Sequence, residues 1–205
     1  DLYVPFTTRF AKSIQSVLPK AMIFVEMPPE FGEHDFPEID PKVVPNAVNA
    51  MHWYDLATLF FCSWSNYFTI DFYTKSLVFG MEKRRRVHNK QLADVASFGA
   101  KMHNAPTLIG EAGIAYNLNG ARAYSDGDFS AQVAALDHTV TCLEANMLSF
   151  TLWCYAADNH NAYGDLWNLE DLSLVAPRQT SPYLKAALLA AVSLPIYYIA
   201  QQAKK

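Results

Sequence analysis

The chain is poor in several things, and each shortage narrows what it can be. Charged residues make up only 18% of its 205 positions and the formal net charge is −4. A mildly acidic chain argues against nucleic acid as a partner, because phosphate backbones select basic surfaces. The one basic cluster, Glu82–Arg86 (EKRRR), reads as the solvated start of a helix, the other use of such a run being a phosphate or lipid-headgroup patch. There are three cysteines, Cys62, Cys142 and Cys154. None stands in a Cys-x-x-Cys spacing, so neither a zinc site nor a redox pair is signalled. All three have apolar neighbours, which reads as buried thiols and leans towards a reducing compartment, cytoplasmic or membrane-associated. His34, His88, His103, His138 and His160 show no ligand spacing together, so no metal and no other cofactor is expected. No Gly-x-Gly-x-x-Gly or P-loop pattern follows any apolar run, which weakens a nucleotide-binding reading. No basic and apolar leader precedes Asp1, and no signal peptide can be read.

What the chain does have is hydrophobic content of 51%, enough for one domain with a sizeable core, and an aromatic content of 14%. Phe6, Phe10, Ile14 and Val17 recur at helical steps until Pro19 ends the pattern. Ala21–Met27 (AMIFVEM) is a short strand-like run ending near Glu26. A loop rich in proline and acids follows, then a second apolar run, Ala47–Asp55 (AVNAMHWYD). Residues Leu56–Gly80 give no clear pattern. Arg86–His103 reads as an amphipathic helix with Leu92, Val95, Ala96, Gly99 and Met102 on one face. Pro106–Gly113 is the third strand. Asp128 looks like an N-cap for a helix running to about Met147, with Val133, Leu136, Val140 and Leu143 inward. Ser149–Tyr155 is the fourth strand, followed by a polar aromatic loop and an apolar tail.

Helices and strands therefore alternate, and alternation implies parallel strands covered by helices. An α/β fold follows, either an open doubly wound sheet or a (β/α) barrel. Each strand ends in groups fit for chemistry: Glu26; His52 and Tyr54; Glu111; Trp153 and the loop beyond it. In a barrel the carboxyl ends of the strands form the active face. His52 and Tyr54 lie two apart and so point to one side of a strand. A tyrosine hydroxyl near Glu111 would favour its charged form. An indole such as Trp153 offers a flat wall to the C–H face of a sugar. The loop after it supplies Asp158, Asn159, Asp165 and Trp167 for hydroxyl groups. Together these suggest hydrolysis of a glycoside with retention, in which one carboxylate attacks and a second carboxyl about 5–5.5 Å away protonates the leaving oxygen.

The stretches IGEAGI (Ile109–Ile114), MHWYD (Met51–Asp55) and TLWCYAADNHNAYGDLWNLEDLSL (Thr151–Leu174) resemble glycoside hydrolase family 5, in the branch of endoglycoceramidases and fungal glucosylceramide and steryl β-glucosidases. YSDGDFSAQVAALD (Tyr124–Asp137) also looks like this branch. The resemblance runs from about residue 6 to about residue 176. It implies a (β/α)8 TIM barrel of which strands five to eight are present. It implies Glu111 as nucleophile on strand seven, His52 and Tyr54 on strand six with Tyr54 bonded to the nucleophile, and Trp153 flooring the glycone subsite from strand eight. The acid/base of that family ends strand four in an Asn-Glu motif, and no Asn-Glu pair occurs in this sequence. A barrel needs eight strands and typically about 250 residues. The chain then reads as residues 1–176 forming the C-terminal half of a barrel, its N-terminal half missing. Residues 177–205 would be the last barrel helix, a membrane-associating tail for peripheral contact with a glycolipid substrate, or an artefact of the gene model. Glu26, the other carboxylate at a strand end, would have a rim or structural role, the alternative being that it serves as the acid/base. The alternative reading is an inactive sugar- or glycolipid-binding remnant of the barrel. An aldolase-like barrel would want a strand-end lysine, and Lys20 and Lys75 are poorly placed for that.

Overall fold

The computed structural model describes residues 2–26, 38–165 and 170–175. Four short strands carry the sheet: β1 (Ile23–Val25), β2 (Ala47–Asn49), β5 (Leu108–Ala112) and β6 (Ser149–Leu152). β1 pairs with β2 and β5 with β6, both in parallel. Parallel bridges at Asn49–Thr107 and His52–Glu111 join the two pairs, so the order across the sheet is β1-β2-β5-β6. No strand among the described residues pairs with the outer edges of β1 or β6. The fold is mixed α/β: helices stand between β2 and β5 and between β5 and β6, as the alternation read from the sequence has it.

The helices are α1 (Tyr3–Gln15), α2 (Leu56–Phe61), α3 (Met81–Lys101), the short α4 (Leu118–Ala121) and α5 (Ala123–Asp126), and α6 (Ser130–Ala145). The segment that gave no sequence pattern holds α2 and an antiparallel hairpin, β3 (Phe68–Asp71) with β4 (Ser76–Phe79). The hairpin breaks strict alternation, which is why a pattern of parallel units could not resolve it. α3 begins five residues before the expected start, because the basic run is itself helical.

Three apolar clusters hold the layers together. Ile109 and Ala112 of β5 and Trp53 meet Leu92 and Val95 of α3 and Cys142 and Leu143 of α6. Ile23 and Val25 of β1 pack with Ala11 of α1, Ile39, Val44 and Met102. Trp64, Ile114, Tyr116 and Leu118 pack with Ala135 and Leu136 of α6 and Leu172. The face expected of α1 is corrected: Phe6, Phe10 and Val17 are exposed, and the helix buries Thr7 and Ala11 instead. Ala11 is fully buried against the β1 cluster, with Tyr3 and Ile14 packed at its edge, while Phe6 and Phe10 face solvent. In α6, Val133 is likewise exposed, while Leu136 and Leu143 face inward as expected. Asp128 accepts from the Ser130 amide at 3.0 Å just ahead of α6. Among the described residues no helix is long and apolar enough to cross a membrane. The tail 177–205 lies outside the described residues.

Candidate active site

The site is built where β2 and β5 end side by side. Beyond β2 the extended chain alternates: Trp53 is buried against α3 and α6, while His52 and Tyr54 point the other way. Backbone bonds fix the neighbouring segment, from the Gly110 amide to the Met51 carbonyl at 3.0 Å and from the Trp53 amide to the Glu111 carbonyl at 2.9 Å.

Strict alternation along β5 would send Ile109 and Glu111 to the same, helix-covered face. The β5–β6 register shifts between Ile109 and Ala112, and it is these two that face the helices. An irregularity of this kind re-aims a side chain. It frees Glu111 to face His52 and Tyr54. The glycines on either side make the approach possible. A Cβ on Gly110 would stand 2.6 Å from the Ala50 carbonyl oxygen, and one on Gly113 would stand 2.3 Å from that of Trp153. The glutamate of the Gly-Glu-Ala-Gly stretch is therefore positioned by the two residues that flank it as much as by its strand.

The Tyr54 hydroxyl donates to Oε1 of Glu111. His52 Nδ1 lies 3.4 Å from Oε2 of Glu111 and 3.1 Å from Oε1 of Glu26 at the end of β1. The Glu111 side chain keeps about a fifth of its surface exposed (22%), so it is neither desolvated fully nor free in water. Burial, together with the bond and the charge of Glu111, pushes the Tyr54 hydroxyl far above its ordinary range. Tyr54 therefore stays a protonated donor at neutral pH.

A cavity of about 660 Å³ opens in front of this pair, lined among others by Tyr54, Glu111, Trp153, Tyr155, Asp165 and Glu170. Its volume falls within the usual range of small-molecule sites, roughly 300–1,000 Å³. Trp153 is half-exposed at its edge, and the Trp153 amide donates to the Ala112 carbonyl at 2.8 Å. Burial raises the Glu170 carboxyl above its ordinary range, and the charges of Asp165 and Glu111 add to the effect. Burial likewise lifts the Cys154 thiol, also in the cavity wall, to about 11, so it is no nucleophile at neutral pH.

Of the loop residues singled out in the sequence, Asp165 lines the cavity. Asp158 is exposed and lies outside the cavity lining. Asn159 is corrected outright: it is buried, and its amide donates to Oδ1 of Asp171 at 2.9 Å. The Tyr124 hydroxyl donates to Oδ2 of the same carboxylate at 2.5 Å. Asp171 is thus clamped from two sides, and the clamp docks the segment that presents Glu170 to the cavity. Trp167 lies outside the described residues. The sequence reading placed Glu170 inside the Thr151–Leu174 stretch but gave it no role in the site, and it missed the proximity of Glu26 to His52, which depends on β1 lying beside β2. It also took the cysteines as buried alike, whereas Cys142 is fully buried and Cys62 and Cys154 are partly exposed.

Behind the site lies a second polar group that the sequence did not signal. Asp55 caps α2 through the Thr58 amide (3.3 Å) and hydroxyl (2.8 Å) and pairs with the buried guanidinium of Arg84. Arg84 also donates to Thr58 Oγ1 at 2.7 Å and to the Ser65 carbonyl at 2.8 Å, and stacks over Trp64 at 3.8 Å. The basic run is therefore only partly a solvated face: Lys83, Arg85 and Arg86 are exposed, but Arg84 is core. His88 and His138 meet at 2.8 Å, Nδ1 to Nε2.

No protein-family profile matches the chain. It is similar to a glucosylceramidase of Rhizopus delemar, 29% identical over 194 residues, which cover 88% of this chain and 27% of that protein. An ergosteryl-beta-glucosidase of Saccharomyces cerevisiae is 33% identical over 173 residues, 72% of this chain and 23% of that one. Among solved structures, Cryptococcus neoformans sterylglucosidase 1 superposes with a TM-score of 0.77 at 26% identity, over 85% of this chain and 27% of that one. The chain spans about a quarter of the length of the relatives it matches.

Proposed function

We propose that this chain, a homologue of fungal glucosylceramide and steryl glucosidases over most of its length, carries the nucleophile half of a retaining β-glycosidase that acts on a glycolipid. The observation that carries the proposal is the carboxylate of Glu111 held between the Tyr54 hydroxyl and His52 at the mouth of a cavity edged by Trp153. In this reading Glu111 Oε2 or Oε1 attacks the anomeric carbon and the aglycone oxygen departs with a proton from a general acid. The Tyr54 hydroxyl holds the carboxylate lone pairs in line and releases them as the ester forms. Water then attacks the glycosyl ester, giving its proton to the conjugate base of that general acid, and Glu111 leaves as the carboxylate it began as.

His52, braced by Glu26, keeps the second carboxylate oxygen in the plane of attack. Trp153 packs on the sugar's C–H face, and Asp165 and Glu170 receive its hydroxyl groups. The relatives' names point to glucosylceramide or a steryl glucoside as the substrate class. The strand order, with no strand among the described residues on the outer edges of β1 and β6, fits the second half of a (β/α)8 barrel of family 5 type, and the general acid would then come from sequence beyond these four strands. Proton NMR of β-glucoside hydrolysis by the protein made from its whole reading frame tests the mechanism. Release of the β-anomer first is expected, and release of the α-anomer first contradicts it. An unreactive protein that still binds glucosides would favour the binding-only alternative.

A further inference from the structure

The segment Trp53-Tyr54-Asp55 has two faces. Tyr54 turns to Glu111, and its two neighbours turn to α3. α3 meets polar atoms of both, and Thr58 of α2 shares the Asp55 carboxylate. Trp53 Nε1 donates to Gln91 Oε1 at 3.1 Å, and Gln91 Nε2 in turn donates to Asp71 Oδ1 of the hairpin at 3.0 Å. Asp55 pairs with Arg84. His88 sits between them, its ring edge against Trp53 at 5.3 Å and its Nε2 3.9 Å from Asp55 Oδ1. Arg84, His88 and Gln91 are spaced four and three apart, so they form one stripe along α3, and all three are buried.

A helix can hold a strand end with apolar contacts alone, and three buried polar residues are an expensive way to gain stability: replacing a buried ion pair by packed apolar groups is often neutral or stabilising. What directional bonds add is orientation. Apolar packing tolerates sliding and rotation; a guanidinium on a carboxylate and an amide on an indole do not. The same stripe is anchored at its far side. Among the described residues nothing pairs with Nδ1 of His138 in α6, and a buried unpaired acceptor is commoner than a buried unpaired donor. In that tautomer His138 Nε2–H, which also lies 3.7 Å from the Cys142 thiol, donates to His88 Nδ1, and the His88 Nε2–H is turned towards Asp55. Burial holds both imidazoles neutral, as this arrangement requires.

We propose that Arg84, His88 and Gln91 are positioning residues for the nucleophile: they fix the backbone of residues 53–55 from behind, so that the Tyr54 hydroxyl and the Glu111 carboxylate meet in one geometry. The inference rests on the glycosidase reading above. Its test uses dinitrophenyl 2-deoxy-2-fluoro-β-glucoside on the protein made from its whole reading frame, measuring the binding constant, the first-order rate of inactivation and the final fraction of protein labelled. Two variants are compared with the wild type: Trp53→Phe, which keeps an aromatic side chain and loses the tie to Gln91, and Arg84→Lys, which keeps the charge and loses the fork.

Since a misplacement of about 1 Å costs on the order of 100-fold, the rate per labelled site should fall by about 5- to 50-fold, with the binding constant within about threefold. A merely structural role predicts a lower melting temperature and a smaller labelled fraction, but a wild-type rate for the sites that are labelled. That result in Trp53→Phe, the milder change, overturns the proposal even if Arg84→Lys does not fold. A wild-type protein that binds the glucoside but takes no label removes the glycosidase reading, and the brace falls with it. A labelled wild type with unaffected variants removes the brace alone.

Discussion

Glu111 does its proposed work because of residues that never touch a substrate. Gly113 is the sharpest case: its missing Cβ makes room for the Trp153 carbonyl, which is backbone and cannot swing aside. Gly113→Ala should therefore cost at least as much as ordinary overpacking, about 1–3 kcal/mol, read as a lower midpoint in urea unfolding. It should also lower activity out of proportion, because β5 and β6 would have to part next to Glu111. The groups around Glu111 should separate by role. Tyr54→Phe removes the donor on Glu111 and should slow inactivation by the fluoro-glucoside by roughly 10²-fold, the usual loss for one well-placed donor. Glu170→Gln should weaken binding of the glucoside with a smaller effect on the rate, and Glu26→Gln, acting only through His52, should change either by less than about tenfold. A collapse of the inactivation rate in Glu26→Gln, equal to that of Glu111→Gln, would assign Glu26 a chemical role.

At the scale of elements, α3 is the member that ties the molecule together, and its stability depends on one arginine in a run of three. Arg84→Ala leaves Asp55 charged and buried, which typically costs 3–5 kcal/mol, as seen on losing one partner of a buried pair. Arg86→Ala breaks an exposed pair with Glu82 and should stay within about 0.5 kcal/mol. Equal effects of the two in chemical denaturation would contradict the burial described. The contact of α3 with α6 adds a pH dependence. Burial, with the charge of His88 second, drops His138 from 6.5 to about 3. The unfolded chain therefore binds the extra proton first as pH falls, so stability is lost progressively from pH 6.5 down towards 3. At pH 5 the loss from this group alone is about 2 kcal/mol at 1.36 kcal/mol per unit. Thermal unfolding should shift down between pH 7 and pH 5, and His138→Gln should flatten that slope.

These elements also show why the sequence was readable in one place and not another. β1, β2, β5 and β6 announced themselves as apolar runs, and Tyr54 and Glu111 as polar groups at their ends. The hairpin β3–β4 was opaque because its exposed positions carry Phe68, Leu77 and Phe79, which erases the contrast that period-two patterns depend on. Arg84 looked like its solvated neighbours because nothing local distinguishes a buried arginine; its partner Asp55 is 29 residues away. Asn159 looked like a sugar ligand for the same reason, since its partner Asp171 arrives only when the chain folds back.

For the molecule as a whole, the described sheet has four parallel strands with helices behind them, and every group proposed for chemistry stands at the carboxyl ends. That common end is what a barrel-type enzyme requires, and it distinguishes this account from one in which Glu111 merely caps a turn. The direct test is to locate the covalent label. The protein made from its whole reading frame is treated with dinitrophenyl 2-deoxy-2-fluoro-β-glucoside, digested, and its peptides weighed. The account predicts a fluoroglucosyl group on the Glu111 side chain, absent from Glu111→Gln. A label on any other carboxylate, or the same labelling in Glu111→Gln, would contradict it.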